Sequence, residues 1–349
     1  MAELTSTERV MLALNRQEPD RVPHFEWLVD KKVREALCPG CKDHHEFAVQ
    51  MGHDAILVGP HFDKKQLGPD KFLSEWGFTF EHGLEEHGVE IEAECPIKTM
   101  ADFKNFTPPD LDAPGRYDEI EWAVREFKGD KAIGVHLNDV FSLPRYLMGM
   151  TSLLMAVALD PDLVTALVNM SVDYNLEMAR RIAKMDVDFV HTGDDLAFNT
   201  GPLMSPKDFE KLFYPGLCRV MGGFKDLGLM VIKHTDGNLW KIIDMLVDSG
   251  IDCLDPIDPQ GGMDLAEVKA KYGDRIALKG NVDCVHLMSF GNPDEVIEAT
   301  KEALRKGMPG GGYILSSSNS IHSTVRPENY KAMMETLKEF GHYPMRKDL

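Results

Sequence analysis

The residues best suited by type and spacing to catalysis or metal binding are His234 and Asp236, in the run His234-Thr-Asp-Gly-Asn238. In an extended segment, side chains two positions apart point to the same side, so these two can converge on one point. A neutral imidazole and a carboxylate are both ligands for zinc. The spacing therefore predicts either a metal site at His234 and Asp236 or a hydrogen-bonded His–Asp pair without metal.

A second pair of interest is Asp194 and Asp195, two adjacent carboxylates at the end of an apolar run. If both faced a dry site, their charges would repel and the pKa of one of them would rise. Such a pair can serve as a general acid, a metal ligand or an anchor for a substrate. The alternative is that one carboxylate faces the site and the other caps a helix. We expect one of the two to be functional.

The run Cys38-Pro-Gly-Cys41, followed by His44 and His45, has the residue types of a small zinc site. Structural zinc sites usually contain two such cysteine pairs, however, and the second pair is missing here. The pattern therefore favours a turn that follows a helix and carries reduced thiols.

The charge balance excludes several classes of partner. The 349 residues contain 38 Lys plus Arg against 57 Asp plus Glu, for a net charge of −19 and a pI near 5.1. Binding of nucleic acid or of an anionic membrane needs a basic face. The most apolar window, Leu147–Leu159, is too short to span a bilayer, and the first residues lack the pattern of a signal peptide. We therefore expect a cytoplasmic protein without nucleic-acid or membrane partners.

The elements that must position these residues follow from an alternation of apolar runs and helical patterns. The runs predict eight strands: Val22–Trp27, Ala55–Gly59, Ala132–Leu137, Asp188–Gly193, Leu229–His234, Cys253–Ile257, Ile276–Gly280 and Tyr313–Ser317. Short continuous apolar runs are typical of strands buried on both faces of a parallel sheet. Helical stretches lie between them, as in Asp160–Met185 and after the Ser205-Pro206 and Asn292-Pro293 starts. The sequence thus predicts an α/β protein, a (β/α)8 TIM barrel that forms a single domain over residues 1–349.

Residues 60–130 are too long for one crossover between strands. They contain two short alternating runs, Trp76–Phe80 and Val89–Ala93, around a turn rich in Gly, Glu and His. We expect an insertion after the second strand that contains a β-hairpin.

The active site of a barrel lies at the carboxyl ends of its strands. Nearly every predicted strand here ends in a polar or ionisable residue, which a barrel that serves only packing would not need. The expected substrate-binding residues are Glu26, Trp27, His136, His191, Asn281 and Asn319.

Several runs resemble those of one family, the uroporphyrinogen decarboxylase superfamily. They are Thr7–Arg16, Glu18-Pro-Asp-Arg-Val-Pro23, Gly193-Asp-Asp195, Gly201-Pro-Leu-Met-Ser-Pro206, His234-Thr-Asp-Gly-Asn238, Lys279-Gly-Asn-Val-Asp283 and Gly311–Asn319. The resemblance extends from residue 7 to about residue 335 and implies a (β/α)8 barrel. It also implies one of two activities, decarboxylation of a tetrapyrrole or methyl transfer with a corrinoid protein.

The residues around the first strand favour the second activity. The decarboxylases have an Arg-rich pocket there for the acidic side chains of the tetrapyrrole, whereas residues 22–30 here contain no Arg and are acidic and aromatic. Carboxylates would repel a poly-acidic substrate. The branch with thiol substrates holds zinc through His-x-Cys and a later Cys, and this chain has Asp236 and Asn319 at those positions. An oxygen-rich site suits a Lewis acid that acts on an ether or hydroxyl oxygen.

The resemblance therefore implies the methyltransferase component of an O-demethylase. This enzyme would move a methyl group from a methoxylated aromatic donor to the cobalt of cobalamin on a separate corrinoid protein. The expected catalytic residues are His234, Asp236, Asp194 and Asp195. Zinc would be held by His234, Asp236 and His322, with Cys284 as an alternative third ligand, and Phe25, Trp27 and Phe62 would hold the ring. The alternatives are a stand-alone metal-dependent lyase or hydrolase on the same barrel, and uroporphyrinogen decarboxylase.

Overall fold

The computed structural model describes residues 3–81, 91–347 and 349. Its strands in chain order are β1 (Ala55–Val58), β2 (Lys64–Gln66), β3 (Lys71–Ser74), β4 (Thr79–Glu81), β5 (Ile91–Glu94), β6 (Ala132–Leu137), β7 (Phe189–Gly193), β8 (Ala197–Phe198), β9 (Gly201–Pro202), β10 (Met230–His234), β11 (Cys253–Asp255), β12 (Ala277–Val282) and β13 (Tyr313–Ser317). The helices are α1 (Ser6–Leu14), α2 (Lys31–Leu37), α3 (His44–Gln50), α4 (Met100–Asn105), α5 (Asp118–Phe127), α6 (Ser142–Met148), α7 (Met150–Leu159), α8 (Pro161–Ile182), α9 (Pro206–Leu212), α10 (Tyr214–Asp226), α11 (Ile243–Asp248), α12 (Leu265–Tyr272), α13 (Leu287–Phe290), α14 (Pro293–Gly307) and α15 (Pro327–Phe340), with a 3₁₀ turn at Ala183–Met185.

The centre of the fold is a curled parallel sheet of seven strands in the order β1-β6-β7-β10-β11-β12-β13. Helices connect successive strands, as the alternation of apolar and helical runs predicts. The α/β class and seven of the eight predicted strands are confirmed, with ends that differ by at most two residues. The seven strands leave two edges, β1 and β13, that the first predicted strand would have to join for the barrel to close.

The segment Val22–Trp27, predicted as the first strand, does not form one. It makes a single parallel bridge, between His24 and Leu315 of β13. The carbonyl oxygen of His24 also accepts a hydrogen bond from the backbone of Asp54, just before β1 (2.7 Å). Pro23 has no N–H to donate to a ladder, which limits regular pairing here. The segment thus contacts both edges of the sheet with few ladder bonds, and a full (β/α)8 closure remains a prediction.

The interior enclosed by the sheet is filled with buried apolar side chains. Phe25 is fully buried there and packs on Phe189 of β7, with ring centroids 5.8 Å apart. A Cβ added to Gly134 of β6 would lie 2.4 Å from the Phe189 ring, so only glycine leaves room for this aromatic side chain. Because Phe25 belongs to this core, it is not available to hold a substrate ring, contrary to the expectation from the sequence.

One end of the sheet is fastened by a buried ion cluster that the sequence analysis did not identify. The carboxylate of Asp54 is fully buried and accepts hydrogen bonds from Arg9 and Arg21, each at 2.8 Å, and from the backbone of His24 at 2.9 Å. Arg9 lies on α1 and also binds Asp20. The cluster therefore connects α1 to the beginning of β1.

The insertion between β1 and β6 contains a four-stranded antiparallel sheet in the order β2-β3-β4-β5. The predicted hairpin runs fall partly on β4 and β5, which pair antiparallel, while their connection at residues 82–90 lies outside the described residues. Trp76, just before β4, is buried and packs edge-on against Tyr174 of α8, with ring centroids 4.7 Å apart. This contact brings the insertion to the side of the main sheet where α8 lies.

Two helix starts agree with the sequence. Ser205 and Asn292 each cap a helix whose first residue is proline, and the Asn292 side chain accepts from the backbone of Glu295. The thiols of Cys38 and Cys41 are not free, because a disulfide joins them, so the prediction of reduced thiols is wrong. They follow the last turn of α2, where a turn brings their Cα atoms to 5.6 Å, a normal spacing for a disulfide.

Among the described residues, no single helix is long and apolar enough to cross a membrane. The pair α6 and α7 reaches this length and composition together, but the two helices meet at an angle of 99°.

Candidate active site at the carboxyl ends of the strands

Three histidines and one aspartate form a chain at the carboxyl ends of four neighbouring strands. The register of β6 and β7 places His136 beside His191, and that of β10 and β11 places His234 beside Asp255. The Nδ1 atoms of His136 and His191 lie 3.3 Å apart. His191 Nε2 and His234 Nδ1 both contact Asp255 Oδ2, at 2.9 and 3.4 Å. Parallel strands in register thus bring together side chains that are far apart in the sequence.

A buried lysine completes this chain. Lys279 Nζ lies 2.9 Å from the other oxygen of Asp255, and both side chains are almost fully buried. Burial alone would raise the pKa of Asp255, but Lys279 and the hydrogen bonds to His191 and His234 outweigh it and hold that pKa well below its usual range. Asp255 is therefore ionised, and its charge orients both imidazoles.

The histidines of the chain differ in their titration. Burial lowers the pKa of His191 to about 4, and burial together with the neighbouring imidazoles lowers the pKa of His136 well below its usual value. Burial also disfavours a charged His234, but the contact with Asp255 and the charge of Asp195 outweigh it and raise the pKa. The imidazoles of His136 and His191 are therefore neutral near pH 7, and His234 is the histidine of the chain that is most easily protonated.

Asp194 and Asp195 have different surroundings. Asp194 is buried and accepts hydrogen bonds from the backbone of Phe141 (2.5 Å) and Ser142 (2.6 Å), where α6 begins. The side chain of Asp195 is 59% exposed, and its Oδ1 lies 3.6 Å from His234 Nε2. The structure therefore separates the two carboxylates into one that holds a helix start and one that faces the histidine chain.

The carboxylate that pairs with Asp194 is Asp139. Both are buried beside Lys233, whose Nζ lies 2.8 Å from Asp139 Oδ2. Burial and the charge of Asp139 raise the pKa of Asp194. For Asp139 the effect of burial is outweighed by Lys233, so its pKa is lowered. One cation faces two carboxylates, and Asp194 is consequently the more easily protonated of the two.

Asp236 does not point to the same partner as His234. Its Oδ2 accepts a hydrogen bond from Asn319 Nδ2, across the mouth formed by β10 and β13. Burial, followed by the charge of Asp195, raises the pKa of Asp236 to about 6. The two residues of the sequence motif are therefore both at the site, but Asp236 is associated with Asn319 and His234 with Asp255.

The two candidate third ligands for zinc have other contacts. His322 is half-buried and its Nδ1 lies 2.7 Å from Thr324 Oγ1. Cys284 is buried, its Sγ lies 3.5 Å from Ser318 Oγ, and burial raises the pKa of the thiol to about 12. Neither belongs to a group of at least three close metal-ligating side chains among the described residues.

Glu26 and Asn281 lie at other strand ends. Glu26 is buried and accepts hydrogen bonds from the backbone (2.9 Å) and hydroxyl (2.7 Å) of Ser317 on β13. Burial raises the pKa of Glu26 to about 7, despite the attraction of Lys279. Asn281 lies on β12, half-buried, with Ser316 as its register partner.

Beside the histidine chain lies a pocket of about 200 Å³ with aromatic walls. Its lining residues are Trp27, Gly59, Pro60, Phe62, Trp76, His136, Leu137, Asn138, Leu143, Tyr174, Asn175 and Met178. The Trp27 ring stacks on His191 (centroids 4.9 Å apart) and contacts His136 (4.2 Å). Trp27 also lines a small cleft with His234, Asp255, Lys279 and Asn319. Trp27 is thus the wall shared by the aromatic pocket and the polar group.

The residues that the sequence analysis missed are Lys233, Lys279, Tyr174 and Trp76, whereas Asp255 lies at the end of the predicted sixth strand, where the strand-end rule expects a polar residue. A signal existed for the two lysines, because each interrupts an otherwise apolar strand, where a charged side chain needs a buried partner. Tyr174 and Trp76 reach the pocket from a crossover helix and from the insertion. Neither position is at a strand end, so the barrel rule could not have selected them.

Two groups of side chains in the described part of the chain could hold a metal ion. One is His191, His234 and Asp255, and the other is His44, His45 and Glu119. In each group, one ligand atom from each residue lies within 4.8 Å of the others. Two nitrogens and one oxygen are an accepted donor set for zinc.

Comparison with known proteins places these features in a family context. A family model described as uroporphyrinogen decarboxylase (URO-D) matches residues 77–340. The uroporphyrinogen decarboxylase of Psychromonas ingrahamii is 22% identical over 260 residues, 70% of each protein, and that of Geobacter sulfurreducens is 25% identical over 255 residues, 69% of this chain and 71% of its own. Among solved structures, a methyltransferase from Methanosarcina mazei has a TM-score of 0.72 at 16% identity, over 97% of this chain and 99% of that chain. This last similarity shows a shared fold.

Proposed function

The chain belongs to the uroporphyrinogen decarboxylase family, and on that premise we propose that it is a methyltransferase. Its donor is a methoxylated aromatic compound, and its acceptor is the cobalt of cobalamin on a separate corrinoid protein. The observation that carries the proposal is the shared wall at Trp27, which lies between an aromatic pocket and a group of imidazole and carboxylate side chains. An aryl methyl ether has the same two parts, a flat apolar ring and a polar oxygen.

The pocket fits the ring of such a donor in size and chemistry. About 200 Å³ accommodates one substituted benzene ring, and the surrounding Trp27, Phe62, Trp76 and Tyr174 offer ring faces and edges for it. Burial in this pocket also excludes water from the reacting oxygen. The ring would be held by apolar contact, and the ether oxygen would lie toward His136 and the polar cleft.

The chemical step balances as a methyl transfer. The electron pair of Co(I) forms the new bond to the methyl carbon, the bond between this carbon and the ether oxygen breaks, and its electron pair stays on the oxygen as phenolate. Phenolate is a poor leaving group, so positive charge at the oxygen lowers the barrier. Lys279 offsets the charge of Asp255, so that the carboxylate does not oppose the negative charge that forms on the leaving oxygen.

The family implies a zinc ion in some members, and the donor set here fits one. His191, His234 and Asp255 would hold it, since they supply two nitrogens and one oxygen within 4.8 Å of one another. The ion would supply a Lewis acid at the ether oxygen. Asp236 lies across the mouth beside Asn319 and would position the donor from that side.

The test is a turnover assay with a cobalamin-binding protein in the Co(I) state and a panel of methoxybenzenes. Conversion of the Co(I) spectrum to the methyl-cobalt spectrum supports the proposal. We expect this conversion to fall at least ~100-fold in His234→Ala, while His342→Ala, an exposed histidine bound to a backbone carbonyl, keeps the rate. Metal content is measured on the same samples. Loss of one equivalent of zinc in His191→Ala and in His234→Ala, with no loss in His322→Ala, would identify the ligand group.

Two other results would overturn the proposal. Release of CO2 from uroporphyrinogen, with no methyl transfer, would show the activity for which the curated relatives are named. Metal-dependent turnover of a methoxyarene without any corrinoid protein would show a stand-alone enzyme.

A further inference from the structure

A second cluster of metal-ligating side chains lies away from the strand ends, between α3 and the first turn of α5. His45 Nε2 lies 3.1 Å from Glu119 Oε1, and the rings of His44 and His45 have centroids 3.7 Å apart. One ligand atom from each of the three residues lies within 4.8 Å of the others. His45 is buried, whereas the Glu119 side chain is 44% exposed. The cluster is thus formed by fixed groups and remains accessible from solvent.

The local structure holds the two imidazoles in place. Asp43 accepts hydrogen bonds from the backbone N–H groups of His45 (3.0 Å) and Glu46 (2.9 Å) and so fixes the start of α3. The disulfide between Cys38 and Cys41 closes the preceding turn. Restricting the ligands in advance lowers the entropy lost when an ion binds.

We infer that His44, His45 and Glu119 form a peripheral site for a divalent transition metal, of which zinc is the expected occupant. Two imidazole nitrogens and one carboxylate oxygen are a donor set that zinc accepts, and three protein ligands leave a position for water. The thiols that the sequence pattern offered are paired with each other and are not needed in this site.

The cluster also contacts the wall of the aromatic pocket. The carboxylate of Glu119 accepts a hydrogen bond from the backbone N–H of Gly59, and Gly59 lines the pocket. An ion bound by Glu119 would hold its carboxylate in place, and this carboxylate would in turn hold Gly59 in the pocket wall. The inference does not depend on the proposed methyl transfer, since none of its ligands belongs to the group at the strand ends.

A tryptophan beside the cluster provides the readout. The ring centroids of Trp122 and His45 lie 5.0 Å apart, and Trp122 is on α5 one turn after Glu119. Cu²⁺ quenches indole fluorescence at such short distances. The experiment is a Cu²⁺ titration of the chelator-treated, disulfide-intact full chain, followed by fluorescence, with Zn²⁺ as the competitor.

We expect a saturable component of the quenching that Zn²⁺ reverses and that is lost in His44→Ala/His45→Ala, whereas quenching of Trp27 by an ion at His191 and His234 would persist in this variant. In Trp122→Phe the quenched component should disappear, while calorimetry still detects binding of the ion. Glu119→Gln, at a partly exposed position that should fold normally, should weaken binding at least ~10-fold. The matched control is His61→Ala, since His61 is an exposed histidine with one carboxylate neighbour at 3.2 Å and no second imidazole.

Three results would overturn the assignment. Quenching in His44→Ala/His45→Ala or in Glu119→Gln that equals the wild-type curve would exclude these ligands. An equal loss in His61→Ala would indicate nonspecific binding to surface histidines. Binding that appears only after reduction of the disulfide, and that is lost in Cys38→Ser/Cys41→Ser, would assign the site to thiolates.

Discussion

Replacing Lys233 by methionine should destabilise the fold strongly, although methionine has a similar length and fits an apolar strand. Lys233 is fully buried, and its Nζ lies 2.8 Å from Asp139 Oδ2 and donates to the backbone oxygens of Asp194 (3.0 Å) and His234 (3.1 Å). Removal of this cation leaves a buried carboxylate without its ionic partner. The cost of breaking a buried ion pair from one side is about 3–5 kcal/mol of unfolding free energy.

The loss of unfolding free energy caused by Lys233→Met should increase as the pH rises. In the wild type the pKa of Asp139 is lowered by Lys233, so the ionised carboxylate stabilises the fold above the pKa of the unfolded chain. Without Lys233, burial raises the pKa of Asp139 above its unfolded value, and stability then falls as pH rises through this interval. The difference between Lys233→Met and the wild type should therefore be larger at pH 8 than at pH 5.

Urea unfolding at the two pH values measures this difference. Lys225→Met is the matched control, because Lys225 is half-exposed and lies 3.3 Å from Asp252, so its removal should cost about 0–1 kcal/mol. The double variant Lys233→Met/Asp139→Asn should recover part of the loss, since no unpaired charge remains at Asp139. A loss below about 1 kcal/mol, an equal loss at both pH values, or a double variant less stable than Lys233→Met would refute the reasoning.

Three further changes test other parts of the fold by urea unfolding. Asp54→Asn should cost about 3–5 kcal/mol because it removes the charge that two arginines share, and a loss under about 1 kcal/mol would show that the cluster is not stabilising. Burial raises the pKa of Glu26 to about 7, so its contribution to the stability of the wild type falls as pH rises from about 4.5 to 7. Glu26→Gln should remove about 3 kcal/mol of this pH-dependent loss. Identical pH profiles of unfolding free energy for the wild type and the variant would contradict the raised pKa of Glu26. Gly134→Ala should cost about 1–3 kcal/mol because its methyl group would overlap the Phe189 ring, and an unchanged midpoint would show that the ring can move away.

Most of the secondary structure could be predicted from the sequence because it depends on local patterns of apolar and capping residues. Continuous apolar runs such as Leu229–Ile232 mark strands with both faces covered, and Ser205 or Asn292 before a proline marks a helix start. The prediction of a strand at Val22–Trp27 was wrong because Pro23 limits backbone hydrogen bonding to neighbouring strands, which the apolar pattern alone does not reveal. The prediction of reduced thiols at Cys38 and Cys41 was wrong because disulfide formation depends on how the turn after α2 brings the two residues together.

The sequence predicted which residues lie at the site, from their types and their positions at strand ends, but it did not predict which of them contact one another. The strand-end rule selected His136, His191 and His234, and their rings lie side by side because parallel strands in register bring their carboxyl ends together. It could not show that His234 contacts Asp255 in place of Asp236, since that choice depends on the direction of each side chain at the mouth.

The sequence by itself therefore determined the class of fold, the order of the elements and the end of the sheet at which polar side chains gather, because these follow from periodicity and chain direction. Only the tertiary structure decided which charges pair and what lines the pocket. Lys233 finds Asp139, and Trp76 of the insertion reaches Tyr174 of α8, through contacts between segments about 100 residues apart. Partners at such separations are set by packing and burial, since a buried charge must find a counter-charge wherever the fold provides one.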